Sequence, residues 1–146
     1  MKSILLATTA TVAITAHCQA ADIRFIPASA STAPTIVIAG PLVSGDFAKF
    51  STYADRITAG TKAVITLDSN GGLVVEGLDI GEAIARRGFA TAANHKCLSA
   101  CALTWLAGAR RAVYPNTGIG FHAAYRSDDK QESGVANALV PTISEV

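Results

Sequence analysis

The sequence predicts an α/β domain built on a mostly parallel sheet. Two short runs rich in β-branched residues, 35–40 ("TIVIAG") and 62–67 ("KAVITL"), have the length and composition of buried strands. An amphipathic segment follows each run, at 44–58 and at 73–88, with apolar residues three and four positions apart. Strands that alternate with helices pair in parallel, because the intervening helix returns the chain to the starting edge of the sheet.

The helices have apolar patterns that predict which side packs against the sheet. In the first helix the apolar positions are Phe47, Phe50, Tyr53 and Ile57. In the second they are Val74, Leu78, Gly81 and Ala85, and Gly88 ends the helix. The remaining elements are a strand at 89–94, a helix at 99–109 and strands at 111–115 and 117–125. The helix at 99–109 is apolar on nearly all sides, so we expect it to be buried.

The first 20 residues have the pattern of a secretory signal peptide. Lys2 precedes an apolar stretch at 4–16 that is too short to span a membrane, and Ala20 lies at a small-residue cleavage point. We therefore expect a signal peptide at 1–20, a strand and linker at 21–33 and one domain at 34–146. The mature protein is then periplasmic or secreted, and no later segment is long enough to span a membrane.

Charge and histidine placement exclude several classes of function. The net charge is +1 with the histidines neutral, and the lysines and arginines are scattered, so we expect no nucleic-acid groove. His17, His95 and His122 are far apart along the sequence and form no metal-ligand motif. The sequence contains no nucleotide-binding glycine loop either. We therefore expect neither a metal nor a cofactor.

Gly71 and Gly72 lie in "LDSNGG", where the second strand turns into the second helix. Because they carry no side chains, their amide groups can approach a ligand closely, and the start of the helix adds a positive dipole. This arrangement suits an anion or the oxyanion of a reacting carbonyl group. The alternative is a glycine turn that only joins strand to helix.

Ser99 lies at the start of the buried helix, within "HKCLSACAL" (residues 95–103). Serine is a favoured N-cap, so a capping role is one interpretation. However, residue 102 is an alanine, and the capping box that would support this role is absent. The other interpretation is a nucleophile at the point where the buried helix reaches the surface, with the Ala100 amide beside it as an oxyanion donor.

His122 is the candidate general base. In a strand over 117–125 its side chain points away from the face formed by alternate residues, and Gly120 and Ala124 leave space around its ring. The alternative is a core histidine without a chemical role. His95 is a second candidate base, but on the incoming strand it lies so close to Ser99 in the sequence that it is poorly placed to fold back.

Cys97 and Cys101 flank Ser99 symmetrically. Removal of the signal peptide also removes Cys18, which leaves these two thiols in a compartment that favours disulfides. On a regular helix their Cα atoms would be about 6 Å apart, within the range of a disulfide. We expect a disulfide that fixes the segment around Ser99, and the alternative is two small buried thiols.

Residues 67–122 resemble the Clp-type serine peptidases of the ClpP/crotonase superfamily, in particular exported relatives with a Cys-x-Ser-x-Cys motif. The resemblance lies in the order of strand, Ser-x-Gly-Gly turn, helix, strand, serine at a buried helix start, and strand with histidine. It extends over roughly 62–125. The resemblance implies a fold of repeated ββα units with an incomplete C-terminal part. It also implies a peptide or other acyl substrate, and it is compatible with assembly into a homo-oligomer.

The resemblance also assigns roles to single residues. Ser99 would be the nucleophile and His122 its general base. The amide of Gly71 or Gly72 would form the oxyanion hole together with that of Ala100.

Two features depart from the pattern of these peptidases. Asn70 stands where these peptidases usually have proline. Because asparagine does not fix φ as proline does, we expect the glycine turn to be less rigid here. Their third triad member lies well beyond the histidine, whereas 146 − 122 = 24 residues follow His122 here, with Asp128 and Asp129 in a polar loop as the nearest acids. The chain is then either a Ser–His dyad of low activity or a truncated member of the group, and we favour truncation.

The sequence thus predicts an exported Clp-protease-like serine hydrolase. One rival is a non-catalytic exported module that keeps the fold for binding or assembly. A second rival is a crotonase-like pocket that holds an acyl thioester by means of the glycine turn, without a serine nucleophile.

Overall fold

Strands and helices alternate along residues 20–125 and 131–134, which are the residues described by the computed structural model. In chain order the elements are β1 (Asp22–Ile26), β2 (Thr35–Ala39), α1 (Asp46–Ala54), β3 (Val64–Ser69), α2 (Val74–Arg87), β4 (Ala90–Leu98), α3 (Ala100–Leu106), β5 (Arg111–Val113) and β6 (Gly118–Gly120). In this part of the chain no helix has the length and apolar character needed to cross a membrane.

The strands form one sheet in the order β1-β2-β3-β4-β5, and β6 also pairs with β4. β1 is antiparallel to β2, and every other pair is parallel. β5 pairs with the first part of β4 and β6 with its last three residues, so the two short strands follow each other along the same edge of β4. The predicted α/β class with a mostly parallel sheet is confirmed.

The core lies between one face of the sheet and the three helices. Strand residues on that face alternate with half-exposed ones, as the two-residue period of a strand requires. The large, fully buried aliphatic side chains of the strands are Ile23, Ile36, Ile38, Ile65 and Leu67, and the aliphatic and aromatic ones of the helices are Phe50, Ile80 and Ile84. Each such side chain contributes roughly 1.5–3 kcal/mol to folding through removal from water.

The apolar face predicted for α2 is wrong at three of its four positions. The buried residues of α2 are Gly77, Ile80, Gly81, Ala83 and Ile84. The cause is α3, which packs across α2 so closely that a Cβ at Gly77 would lie 2.8 Å from the Ala100 carbonyl oxygen. A periodic pattern identifies one apolar face, whereas α2 is covered on one side by the sheet and on another by α3. The predicted end of the helix at Gly88 is confirmed, since Gly88 has a φ of 65°.

The predicted strands at 89–94 and 117–125 differ most from the observed bounds. β4 continues to Leu98, and its register against β3 shifts, so that Leu67 pairs with Ala93 but Ser69 pairs with Cys97. Between these two pairs, three residues of β4 (94–96) lie opposite one residue of β3, Asp68. The strand predicted at 117–125 ends at Gly120, because β6 pairs with β4 and β4 ends where α3 begins.

Several predictions fall outside the described residues. They are the signal peptide at 1–20 except for Ala20, together with Cys18, and the acids Asp128 and Asp129.

Candidate active site

Ser99 connects β4 to α3 in a conformation that few residues other than glycine adopt. Its φ is 56° and its ψ is −125°. The backbone holds it there, because the Ser99 amide donates to the Gly120 carbonyl oxygen (2.8 Å) and the Ser99 carbonyl accepts from the Ala102 amide (2.9 Å). The Ser99 hydroxyl makes no capping hydrogen bond to α3, so the interpretation of its side chain as an N-cap is wrong.

A disulfide between Cys97 and Cys101 encloses Ser99. The two Cα atoms are 5.1 Å apart, and both residues are fully buried. Cys97 belongs to β4 and Cys101 to α3, and the turn at Ser99 (φ 56°) between them brings the two residues together. The alternative of two separate buried thiols is wrong, and the disulfide limits the movement of the segment that carries Ser99.

The glycine turn lies directly against Ser99. Gly71 has a φ of 94° and Gly72 a φ of 144°, both in the region that favours glycine. A Cβ at Gly71 would lie 2.6 Å from the Ser99 Cβ, and a Cβ at Gly72 would lie 2.1 Å from the Leu42 carbonyl oxygen. Both positions therefore exclude a side chain, and at Gly71 the turn packs directly against the serine.

The amides of the turn have different partners. The Gly71 amide donates to the buried Ser69 hydroxyl at 3.0 Å. The Gly72 amide and the Ala100 amide have no acceptor within residues 20–125 and 131–134. Of the three predicted oxyanion donors, Gly72 and Ala100 thus have a free N–H group, and that of Gly71 is already engaged.

His122 lies two residues beyond β6 with its side chain exposed, so the alternative of a histidine buried in the core is wrong. Its Nδ1 is 2.7 Å from the Ala123 carbonyl oxygen, and its ring stacks on that of Tyr125 with 5.9 Å between the centroids. A carbonyl oxygen only accepts hydrogen bonds, so Nδ1 must carry the proton. In the neutral ring, Nε2 is then the nitrogen that can accept a proton.

Ser99 and His122 line the same pocket. Its volume is about 200 Å³, and its lining residues are Val74, Ser99, Leu103, Phe121, His122 and Ala124. Apart from the serine and the histidine, all of these side chains are apolar. The structure therefore brings together the two residues to which the sequence assigned the chemistry.

Two solved structures of Clp proteases share this architecture. The ClpP1 N165D mutant from Listeria monocytogenes aligns with a TM-score of 0.59 and 19% identity, over 76% of this chain and 66% of that one. The ClpP protease catalytic domain from Plasmodium falciparum aligns with a TM-score of 0.52 and 22% identity, over 59% of this chain and 53% of that one. The chain has the Clp protease fold.

This chain therefore spans about two thirds of the Listeria protein and about half of the Plasmodium domain. No protein-family model and no curated protein sequence matches it.

Within this Clp protease fold, three connections at the carboxyl ends of parallel strands form the site. The glycine turn follows β3, Ser99 follows β4 and His122 follows β6. Parallel sheets place their sites at this edge because the connections there converge. The sequence placed the glycine turn and Ser99 at such strand ends, whereas it placed His122 inside a strand, which in the structure ends at Gly120.

His95 lies outside the pocket around Ser99. It occupies the bulge of β4 with a φ of 54°, and its Nδ1 is 2.9 Å from Oδ2 of Asp68. Its side chain is exposed. The sequence contained no signal for the Asp68–His95 pair, because the bulge that creates it is a property of the strand pairing.

Other residues of the site also escaped sequence interpretation. Leu42 bonds to the glycine turn on both sides, since its amide donates to the Gly71 carbonyl and its carbonyl accepts from the Leu73 amide. Val74, Leu103 and Phe121 form the apolar walls of the pocket. In the described ranges, no three histidine, cysteine, aspartate or glutamate side chains are grouped to hold a metal ion.

Proposed function

We propose that this chain is a serine hydrolase of the Clp-protease type that cleaves peptide or other acyl bonds, with Ser99 as nucleophile and His122 as general base. The observation that carries the proposal is the single pocket lined by both residues, next to a glycine turn with a free amide. A nucleophile, a base and backbone donors around one space are the parts that acyl transfer requires.

The reaction proceeds in two halves. Ser99 Oγ attacks the carbonyl carbon of the substrate while its proton passes to Nε2 of His122, and the carbonyl oxygen becomes an oxyanion. The amides of Gly72 and Ala100 donate to this oxyanion, and one such donor typically supplies about 3–4 kcal/mol of barrier reduction. His122 then gives the proton to the leaving group, and water hydrolyses the acyl-enzyme by the same steps.

The Ala123 carbonyl takes the orienting role of a third triad member in this scheme. It holds the proton on Nδ1 and leaves Nε2 free to act as base. A carbonyl dipole stabilises the protonated imidazole less than a carboxylate does, because it carries only a partial charge. We therefore expect a working but slow base, as in a Ser–His dyad.

The pocket favours a substrate with an apolar side chain beside the bond that is cleaved. The walls next to Ser99 come from Val74, Leu103 and Phe121, and no charged side chain lines the pocket within the described residues. A charged or strongly polar side chain would lose its hydration there without gaining a partner. Peptides or esters with an aliphatic or aromatic group at this position are the preferred class.

Export of the protein is part of the proposal. The signal-peptide pattern at 1–20 supports it, and so does the buried disulfide, since disulfides persist in oxidising compartments. A periplasmic or secreted location is the one in which the segment around Ser99 stays cross-linked. A homo-oligomer stays a prediction, supported by exposed apolar side chains such as Val113 and Tyr114.

The test is labelling by a fluorophosphonate probe, with the protein exported to a bacterial periplasm under its own signal sequence. We expect labelling of the folded protein that disappears in Ser99→Ala and falls at least about 100-fold in rate in His122→Gln. The matched control is His95→Gln, which changes an exposed histidine outside the pocket and should label at the original rate.

The rival functions give different results. A folded protein that does not label refutes the hydrolase and favours the non-catalytic module. Binding of an acyl thioester that survives Ser99→Ala favours the crotonase-like pocket. Equal loss of labelling in His95→Gln and His122→Gln would contradict the assignment of His122 as the general base.

A further inference from the structure

Ser69 places a hydroxyl group among the apolar residues of the core. It is the last residue of β3, lies on the same face as Ile65 and Leu67, and is 1% exposed. A buried hydroxyl costs free energy unless it is hydrogen-bonded. Its partners are in the glycine turn, where it accepts from the Gly71 amide at 3.0 Å and lies 3.4 Å from the Gly71 carbonyl oxygen.

The two peptide groups that flank Gly71 are therefore both held. Ser69 binds the N–H of the first, and the Leu42 amide donates to the carbonyl of the second at 2.9 Å. A trans peptide group is planar, with its N–H opposite its carbonyl. With the Gly71 carbonyl directed at Leu42, the Gly72 N–H must point to the opposite side, away from Leu42.

The restraint from Ser69 adds to the two backbone bonds that Leu42 makes with the turn. Glycine populates a wide range of φ and ψ, and this chain has asparagine at position 70, which does not restrict φ as proline does. Leu42 restrains the peptide group between Gly71 and Gly72, and the side chain of Ser69 restrains the peptide group before it. Ser69 does so without itself lining the pocket around Ser99.

We infer that Ser69 is a positioning residue of the proposed hydrolase, whose hydroxyl fixes the glycine turn so that the Gly72 amide faces the reacting carbonyl oxygen. The inference rests on the proposed function, because it assigns the Gly72 amide to the oxyanion. Its consequence is specific: loss of the hydroxyl slows the chemical step and leaves the apolar pocket, and hence initial binding, unchanged.

The experiment measures the rate of fluorophosphonate inactivation at several probe concentrations, which separates the maximal rate from the half-saturating concentration. We expect Ser69→Ala to lower the maximal rate about tenfold or more, with the half-saturating concentration within twofold of the original. We expect Ser69→Thr to retain most of the maximal rate of the unsubstituted protein, because threonine keeps the hydroxyl group.

The matched control is Thr91→Val. Thr91 is also 1% exposed, and its hydroxyl donates to the Trp105 carbonyl at 2.7 Å, away from the glycine turn. Thr91→Val also removes a buried, hydrogen-bonded hydroxyl group. Any loss of rate that comes from general destabilisation of the core should therefore be seen in this variant as well. Equal losses of rate in Ser69→Ala and Thr91→Val would overturn the inference, as would an unchanged rate in Ser69→Ala.

Amide hydrogen exchange of the unsubstituted protein gives a reading that depends on no variant. The Gly71 amide should be protected to a degree similar to the Gly40 amide, which donates to the Asp68 carbonyl at 2.9 Å. Rapid exchange at Gly71 alone would overturn the inference even if Ser69→Ala did not fold. If the unsubstituted protein labels and Ser69→Ala labels equally well, only the inference fails. If the unsubstituted protein does not label, the proposed function fails and the inference fails with it.

Discussion

Substitution of Gly71 by alanine tests the contact between the glycine turn and Ser99. The substitution adds one methyl group, at a φ of 94° and within 2.6 Å of both the Ser99 Cβ and the Leu98 carbonyl oxygen. The matched control is Gly45→Ala, since Gly45 has a φ of 97° and nothing within 4 Å of its added Cβ. The two variants share the backbone strain, and only Gly71→Ala has the steric overlap.

The expected magnitudes follow from these two terms. Positive φ costs a residue with a side chain about 1–2 kcal/mol, and this cost applies to both variants. Overpacking against fixed atoms adds about 1–3 kcal/mol in Gly71→Ala alone, because the disulfide and the backbone bonds of Ser99 limit relaxation. We therefore expect destabilisation of about 1–2 kcal/mol for Gly45→Ala and about 2–5 kcal/mol for Gly71→Ala.

Two measurements check this prediction. Urea denaturation under oxidising conditions gives the free energy of unfolding of each variant. Fluorophosphonate labelling under native conditions reports Ser99, and we expect it to be lost in Gly71→Ala and retained in Gly45→Ala. The reasoning would be refuted if Gly71→Ala were no less stable than Gly45→Ala and labelled at the original rate. The glycine turn would then not be in close contact with Ser99.

Four further predictions concern the surroundings of the site. Replacing Cys97 and Cys101 together by alanine should lower the free energy of unfolding by about 2 kcal/mol, because a disulfide that closes so short a loop removes little entropy from the unfolded chain. The same variant should react more slowly with the fluorophosphonate probe. An unchanged labelling rate in denaturant-free buffer would contradict a positioning role for the disulfide. Glu76 accepts from the Gly45 and Phe47 amides at the start of α1, so Glu76→Gln should cost about 0.5–2 kcal/mol in urea denaturation with labelling retained. Phe121→Ala should raise KM for substrates with an apolar side chain about tenfold and leave KM for a glycine analogue unchanged, which steady-state kinetics on the two substrates compares. Protein sequencing of the exported chain should begin at Ala21, and an intact Met1 on periplasmic protein would contradict cleavage at Ala20.

The fold class and the meeting of the glycine turn with Ser99 were predictable from local patterns. Runs such as "TIVIAG" and the helical spacing around Phe50 are properties of the sequence itself, and they led to the observed order of elements. The convergence of the glycine turn and Ser99 followed from the general rule that parallel strands place their connections at one edge. The position of His122 did not follow from this rule, because the strand pattern placed it inside a strand at 117–125, and its pairing with Ser99 came from the resemblance.

The parts that could not be predicted depend on contacts between distant segments. The buried face of α2 is set by α3, which packs against Gly77. The position of His95 is set by the shift in register between β3 and β4. The bond between Ser69 and Gly71 depends on the shape of the turn, which Leu42 holds from another part of the chain. None of these leaves a periodic trace in the sequence.

The bond from the Ser99 amide to the Gly120 carbonyl joins the strand end before the nucleophile to the strand end before the imidazole. Ser99 is also held by the disulfide and by the first turn of α3, whereas this bond is the link between Ser99 and the strand that leads to His122. Separation of β6 from the edge of β4 would therefore move the imidazole away from a serine that stays in place. Activity in such a molecule would vanish in a single step as that edge opens, rather than decline gradually.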